Sequence, residues 1–497
     1  MKTQINFIIR HKLETILVVV IVCLALFLRL YRIGEFMTFL GDEGRDVRIV
    51  RDLITKGNLV FIGPQTSIGN MYLGPLYYYM MAPFLLLSGL NPVGPAIMVA
   101  LLGVLTVYLT YYIGKRWFGM WPGLIAGLLY AISPVAIIYS RSSWNPNPMP
   151  LFSLLCVYGI YEVWKNKNFK WLTFVGLFFA AALQMHYLGL LLAPVLGLFW
   201  LLSLKEQKNK SLPGNEFFKK TASAIVIFLV FMSPLVFFDL KHQGMNFNAF
   251  RAFFSDRQTT VNLNPARSDR FIPVISGTVT DLVLARQNIY PLLFALVLAV
   301  TFYFSFKKAK DQSPYIALAV WIVFGLLGLG LYKQHVYIHY LGFIYPAVYL
   351  LLGVSIGSIV TKKFPRCFPG ALILVFLIFL SLSKSPVLET PNNQLKRTEE
   401  AVDIIIEKSN GDPFNFALIA KQNYDESYRY FLENKKANLV SGDVKVTDQL
   451  FVVCEDGDLC APEGHSRYQI AIFGPAKIDQ QWTHDYLKIY RLVHSQK

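Results

Sequence analysis

The chain has 497 residues, 54% hydrophobic and 15% aromatic, with only 16% charged and a mean hydropathy of +0.44. Soluble domains carry about 25% charged residues, so composition excludes an ordinary soluble protein and indicates an integral membrane one. The net charge of +16 does not mark a nucleic-acid binder: most of the excess lies in short clusters between hydrophobic runs, where cytoplasmic loops collect Lys and Arg.

Residues 1–12 are basic and lead into an apolar run over 13–30. That run is long enough to cross a bilayer and lacks a small-residue cleavage site, which predicts a retained anchor rather than a signal peptide. Further basic clusters are Lys115/Arg116, Lys165/Lys167/Lys170, Lys205/Lys208/Lys210 with Lys219/Lys220, Lys307/Lys308/Lys310 and Lys362/Lys363/Arg366. If all face the cytoplasm, an even number of crossings separates each neighbouring pair. Spans are then predicted near 13–30, 93–113, 121–139, 148–164, 171–185, 187–204, 221–238, 288–306, 314–332, 340–360 and 367–383.

Two regions need a choice. The Tyr-rich run 71–90 contains Pro75 and Pro83, and counting it as a span would move Lys115 and Arg116 outside. Tyrosine favours the membrane interface, so a shallow or re-entrant helix is expected there. Residues 171–204 are one long apolar stretch interrupted by Gln184-Met185-His186, and two short spans meeting outside at His186 keep both flanking basic loops inside.

The fold class expected is mainly α: a polytopic transmembrane bundle of about 11–13 spans over 1–383, with a small extracytoplasmic α/β domain over 384–497. The localisation expected is the cytoplasmic membrane, with the outer loops and the C-terminal domain on the extracytoplasmic side. In the first outer loop, 31–92, Val47, Val50 and Ile54 form one apolar stripe flanked by Arg45, Arg48 and Arg51, and Gly57 offers a stop. That pattern predicts a helix, lying along the membrane or packed on other loops. In the tail, helices are predicted at 398–408 and 424–433, and strands at 416–420, 449–454, 469–473 and 487–492. Cys454 and Cys460 can pair if the tail is extracytoplasmic, whereas Cys23 and Cys156 sit in apolar runs.

The chemistry rests on Asp42 and Glu43, adjacent carboxylates just beyond the first span in Phe39-Leu40-Gly41-Asp42-Glu43-Gly44-Arg45-Asp46. Ionisable residues at this depth are costly and commonly functional. Transfer of a group from a lipid-anchored donor to an aqueous hydroxyl needs a base for the hydroxyl proton and support for the departing phosphate. Asp42 is the candidate base and Glu43 its companion; the alternative is that Asp42 only caps the helix that follows. Candidates for donor phosphate or sugar are Arg141 with Trp144 and Asn145, His186 and Tyr187, Lys241 and His242, and His335 with His339. The topology brings all of them to the outer face. Arg251, Arg257, Arg267 and Arg270 are expected to be ordinary loop charges. No nucleotide-binding loop or zinc-protease motif is present, and the sequence marks no cofactor with certainty. A divalent metal on Asp42, Glu43 and a distant His is compatible with the chemistry, though no spacing selects it.

Several motifs together resemble the membrane glycosyltransferases of the GT-C superfamily, nearest the protein O-mannosyltransferase and lipid A aminoarabinose transferase type. They are the acidic pair, the Gly74-Pro75-Leu76-Tyr77-Tyr78-Tyr79 entry, Tyr139-Ser140-Arg141 with Trp144-Asn145-Pro146-Asn147, Gln184-Met185-His186-Tyr187, Phe237-Phe238-Asp239-Leu240-Lys241-His242, and His339-Tyr340 before Pro346. The resemblance covers about residues 1–360. It implies a polyprenyl-phosphate sugar donor, a glycan, lipid or protein acceptor, an outer-face site, inversion at the sugar carbon, and Asp42 as base or metal-binding carboxylate. One departure stands out: where those enzymes place a Lys-Pro or similar basic entry, this chain has Leu73-Gly74-Pro75. Phosphate support must then come from residues such as Arg141 or His186. A transporter or flippase of lipid-linked glycans is the alternative, but acidic residues are scarce in the spans and no internal repeat is evident.

Overall fold

The computed structural model describes residues 12–66, 71–210, 214–255, 269–456 and 460–495. The chain divides into two compact units. The first contains Met1–Tyr31, Leu59–Met80 and Ala96–Thr390; the second contains Arg32–Asn58, Met81–Pro95 and Pro391–Lys497.

In chain order, α1 is Lys12–Leu30, α2 Gly41–Lys56, α3 Leu76–Leu87, α4 Val93–Phe118, α5 Met120–Ile132 and α6 Pro134–Tyr139. Next come α7 (Met149–Asn166), α8 (Lys170–Met185), α9 (Ala193–Lys210), α10 (Gly214–Lys241), α11 (Met245–Ser255) and α12 (Phe271–Leu282). The last apolar helices are α13 (Pro291–Lys308), α14 (Ser313–Leu331), α15 (Tyr345–Val360) and α16 (Phe368–Ser383). Every predicted span is occupied by a helix or a helix with a leading 3-10 turn. Among the described residues, eight helical stretches are long and apolar enough to cross a membrane, so the protein is a multi-pass membrane protein. Helix α3 has 12 residues, a rise of about 18 Å against a hydrocarbon thickness of about 30 Å. Its length fits the shallow helix expected at 71–90.

Three interruptions in the first unit shape the site. The predicted span 121–139 breaks at Ser133-Pro134, because Pro134 has no N–H to give the carbonyl of Tyr130. The Arg29 guanidinium, fully buried on α1, donates instead to the carbonyls of Ala131 at 2.9 Å and Tyr130 at 3.3 Å. Ser133 restarts the chain as the N-cap of α6, accepting from Ala136 N–H at 3.3 Å. The other two interruptions are 3-10 turns at Tyr187–Leu192 and Ile338–Ile344, leading into α9 and α15. His186 immediately precedes one and His339 lies in the other.

In the second unit, α17 (Gln394–Lys408), β1 (Asn415–Ile419), α18 (Glu426–Asn434), β2 (Gln449–Cys454), α19 (Tyr468–Phe473), β3 (Ala476–His484) and β4 (Leu487–His494) form an α/β fold. The sheet order is β1-β2-β4-β3, with β1 and β2 parallel and the other pairs antiparallel. Strands β1 and β2 are buried along their whole length, as strands covered on both faces must be. Two tail readings change. Residues 469–473, expected as a strand, are helical, with Ile470 and Phe473 buried one turn apart; a short apolar run does not distinguish the two periods. The edge strand β3 carries Lys477, Asp479, Gln480 and Gln481 and is largely exposed, so it gave no apolar signal. Cys454 and Cys460 form a disulfide.

Helix α2 packs on α18 inside this unit. Gly44 is the contact point: a Cβ there would lie 2.3 Å from the backbone nitrogen of Ser427. Arg48 pairs with Glu426 and Glu433, and Arg51 pairs with Glu433 at 2.7 Å. The expected stripe is real, with Val47 and Val50 buried and the helix ending at Gly57 in the left-handed region. Of the two settings expected for α2, packing on other loops accounts for these arginines.

Candidate active site

In the first unit, the 3-10 turns and the loop after α6 bring five of the predicted residues together. His186 stacks on Tyr187 with ring centroids 4.4 Å apart, and its ring lies 5.9 Å from that of His339. His339 in turn lies 4.5 Å from Trp144 and 6.3 Å from Tyr139. Asn145 ties this loop to the end of α8 by donating from Nδ2 to the Met185 carbonyl at 2.7 Å. Arg141, at the start of the same loop, donates to the Tyr31 carbonyl at 2.6 Å.

Burial controls the charge here. It pushes the His186 imidazole down to about 3, with the neighbouring His339 acting in the same direction, so His186 is neutral at physiological pH. The Leu188 N–H donates to its Nδ1 at 3.2 Å, which leaves Nε2 to carry the proton and act as a donor. Burial also lowers Arg141, to about 10, and it stays cationic. The cluster therefore combines a neutral imidazole donor with several aromatic faces, and Arg141 stands at the start of its loop. It can bind an anionic headgroup and pack a sugar ring.

Tyr187 also lines a cavity of about 690 Å³. Its other walls come from 71–73, Leu183, Leu190, and the facing ends of α10 and α11, including Val236, Leu240, Phe247 and Phe250. The lining is mostly apolar, suited to a hydrocarbon chain. Asp239, in the matched Phe237–His242 motif, accepts from the N–H groups of Asn246 at 2.6 Å and Phe247 at 3.1 Å. It thereby fixes the start of α11 against α10. Lys241 and His242 do not join the histidine cluster: they stand exposed at the C-terminal end of α10, between Leu240 and Gly244 of the cavity wall. His242 is held by its own helix, through the Phe238 carbonyl at 2.8 Å. His335 contacts Tyr337, with centroids 4.6 Å apart. Arg270 donates to the Gln334 carbonyl at 2.7 Å; Arg257 and Arg267 lie outside the described residues.

The acidic pair belongs to the second unit, and its members differ. Glu43 is buried and accepts from Leu40 N–H at 3.0 Å, so it caps α2. Burial, with Asp42 and Asp46 nearby, raises it to about 8. Asp42 does not cap the helix. Its side chain is 42% exposed, and Oδ1 accepts from Arg45 at 2.9 Å and from the Tyr424 hydroxyl at 2.6 Å. Tyr424 remains a donor because burial pushes its hydroxyl upward. Gly41 permits this contact, since a Cβ there would fall 2.3 Å from the Tyr424 ring. The Gly41 N–H donates to Asn423 Oδ1 at 2.8 Å, and Asn423 donates to Glu455 at 2.9 Å.

Arg29, Asn423 and Tyr424 escaped the sequence reading. A cation inside a first span is a signal that could have exposed Arg29; the other two had none, being 382 residues from their partners. Among the described residues, no three His, Cys, Asp or Glu side chains gather closely enough to hold a metal ion. Glu43, one of the metal ligands considered, already serves as the helix cap.

Residues 73–238 match the family described as dolichyl-phosphate-mannose-protein mannosyltransferase. No curated protein sequence matches the chain. Among solved structures it is similar to ArnT from Cupriavidus metallidurans bound to undecaprenyl phosphate, at 13% identity and a TM-score of 0.63, covering 96% of this chain and 97% of that one. It is also similar to the oligosaccharyltransferase AglB from Archaeoglobus fulgidus, in complex with an inhibitory peptide and a dolichol-phosphate. That match has 12% identity and a TM-score of 0.54, covering 90% and 70%. The arabinofuranosyltransferase AftD from Mycobacteria matches at 11% identity and a TM-score of 0.52, covering 98% and 42%. The broken helices, the aromatic and histidine cluster and the small α/β unit thus belong to a chain with the GT-C glycosyltransferase fold.

Proposed function

We propose that this protein is a glycosyltransferase that moves a sugar from a polyprenyl-phosphate donor to an extracytoplasmic hydroxyl acceptor, with inversion. The observation that carries the reading is Tyr187, which lines the apolar cavity and stacks on His186. A prenyl chain in that cavity leads its phosphate to the cluster of His186, His339, Trp144, Asn145 and Arg141. The likeness to a fold solved with undecaprenyl phosphate and with a dolichol-phosphate supports the donor class. The disulfide supports an oxidising, extracytoplasmic setting for the second unit, in the plasma membrane of the cell.

In the reaction, the acceptor oxygen attacks the anomeric carbon and the bond from that carbon to the phosphate oxygen breaks. The bonding pair stays on the phosphate, where Arg141 and the His186 N–H stabilise the charge. The acceptor proton passes to Asp42, whose carboxylate is oriented by Arg45 and Tyr424 through Oδ1. Lys241 and His242, at the cavity rim, are suited to attracting the anionic headgroup. A screen of radiolabelled polyprenyl-phosphate sugars with reconstituted protein tests the reading. Transfer by wild-type protein and its loss in Asp42→Asn are expected; full transfer by the variant overturns the assignment of the base.

A further inference from the structure

The second unit contains a polar pocket that the sugar-transfer chemistry above leaves unused. It is about 490 Å³ in volume, within the range of small-molecule sites, roughly 300–1,000 Å³. Tyr424, Asp425, His465, Ser466, Tyr468 and Gln469 line it. Its two tyrosines offer accessible rings, Tyr424 being 36% and Tyr468 61% exposed.

Of the charges at the pocket, Asp425 is ion-paired, and Arg467 is anchored to neutral carbonyls. Arg467 donates from Nε to the Leu418 carbonyl at 2.9 Å and from Nη2 to the Asn423 carbonyl at 3.4 Å. Asp425 pairs with Arg429 at 2.5 Å, and the Tyr468 hydroxyl donates to Asp443 at 2.6 Å. What remains for a ligand is mainly a set of hydrogen-bonding side chains. His465 takes the Arg467 backbone N–H on Nδ1 at 3.1 Å, leaving Nε2–H as a donor; Ser466 and Gln469 each donate and accept. A hydrocarbon would strand these polar groups. A pyranose fits both features: its C–H face packs on tyrosine and its hydroxyl rim meets the donors and acceptors.

The position adds direction. Tyr424 lines the pocket and also donates to Asp42, so a ligand on its ring adjoins the candidate base. We infer that this pocket binds a neutral saccharide, the acceptor glycan whose hydroxyl Asp42 deprotonates. The acceptor role rests on the transferase reading; saccharide binding does not.

The test separates the two by omitting the donor. Full-length protein in nanodiscs is applied to an array of neutral oligosaccharides, and the best-bound member is titrated by saturation-transfer NMR. Its apparent Kd is expected to rise at least tenfold in His465→Ala and Gln469→Ala with melting unchanged. If the alanine variants melt early, Gln469→Glu, of equal size, carries the test with the same expected loss. The inference is overturned if no neutral oligosaccharide is retained or if well-folded variants bind as wild type. It is also overturned if a Ser/Thr-rich peptide binds the pocket more tightly than any glycan. Saccharide binding combined with full transfer by Asp42→Asn would refute the base and leave the pocket standing.

Discussion

The cavity bounded by α10 and α11 and the pocket beside Tyr424 solve opposite problems with the same residue types. Tyr187 in the first closes an apolar channel and meets a neutral, buried imidazole. Tyr424 in the second presents its ring to a polar hollow and its hydroxyl to a carboxylate. In one unit, desolvation strips charge from the histidine; in the other, ion pairs on α2 and α18 keep charge and consume it locally. On the reading proposed above, the first region selects by exclusion of water and the second by hydrogen-bond matching.

The largest test of this division is Asp42→Asn, expected to reduce transfer by about 10²–10⁴-fold, the range for a lost general base. Initial rates in proteoliposomes measure it, and unchanged melting confirms that the loss is chemical. Next is Arg29→Met, which leaves the carbonyls freed by Pro134 without their donor. Losing hydrogen bonds from a charged group costs about 1.5–3 kcal/mol each, so the first unit should melt several degrees lower. An unaltered melting point would show that α5 and α6 hold their break without α1.

Blocking the cavity is expected to have a smaller effect. Val236→Trp should raise the KM for a long-chain donor about tenfold, equivalent to about 1.4 kcal/mol, with kcat little changed and short-chain donors unaffected. Equal effects on both chain lengths would remove the cavity from donor recognition. The smallest effect concerns Glu43. Its folded value of about 8 lies above the ordinary 4.5, so its contribution to stability is fully present below about pH 4.5 and lost as pH rises through about 8. Thermal unfolding should therefore fall between pH 5 and pH 9 in wild type, and less so in Glu43→Gln.

Much of the membrane fold was legible because apolar length fixes spans. Helix α2 was legible down to its Gly57 stop. The break at Pro134 was not, since its rescue depends on Arg29, about a hundred residues away in the chain. The acidic pair was found, but its division of labour was not: adjacency does not show that Glu43 turns inward as a cap while Asp42 points outward. The histidine cluster was partly legible, with His186 and His339 named, whereas Lys241 and His242 were drawn from a motif whose structural work is done by Asp239. The cavity could not be read at all, because its walls come from four separate stretches of chain.

The bond from Gly41 N–H to Asn423 spans 382 residues and has a consequence for biosynthesis. The supporting asparagine and tyrosine are translated 382 residues after Gly41 and the proposed base. A nascent chain halted before residue 423 carries the carboxylate without the partners that orient it. The order of synthesis therefore delays the contacts around this carboxylate until the second half of its own unit has been made.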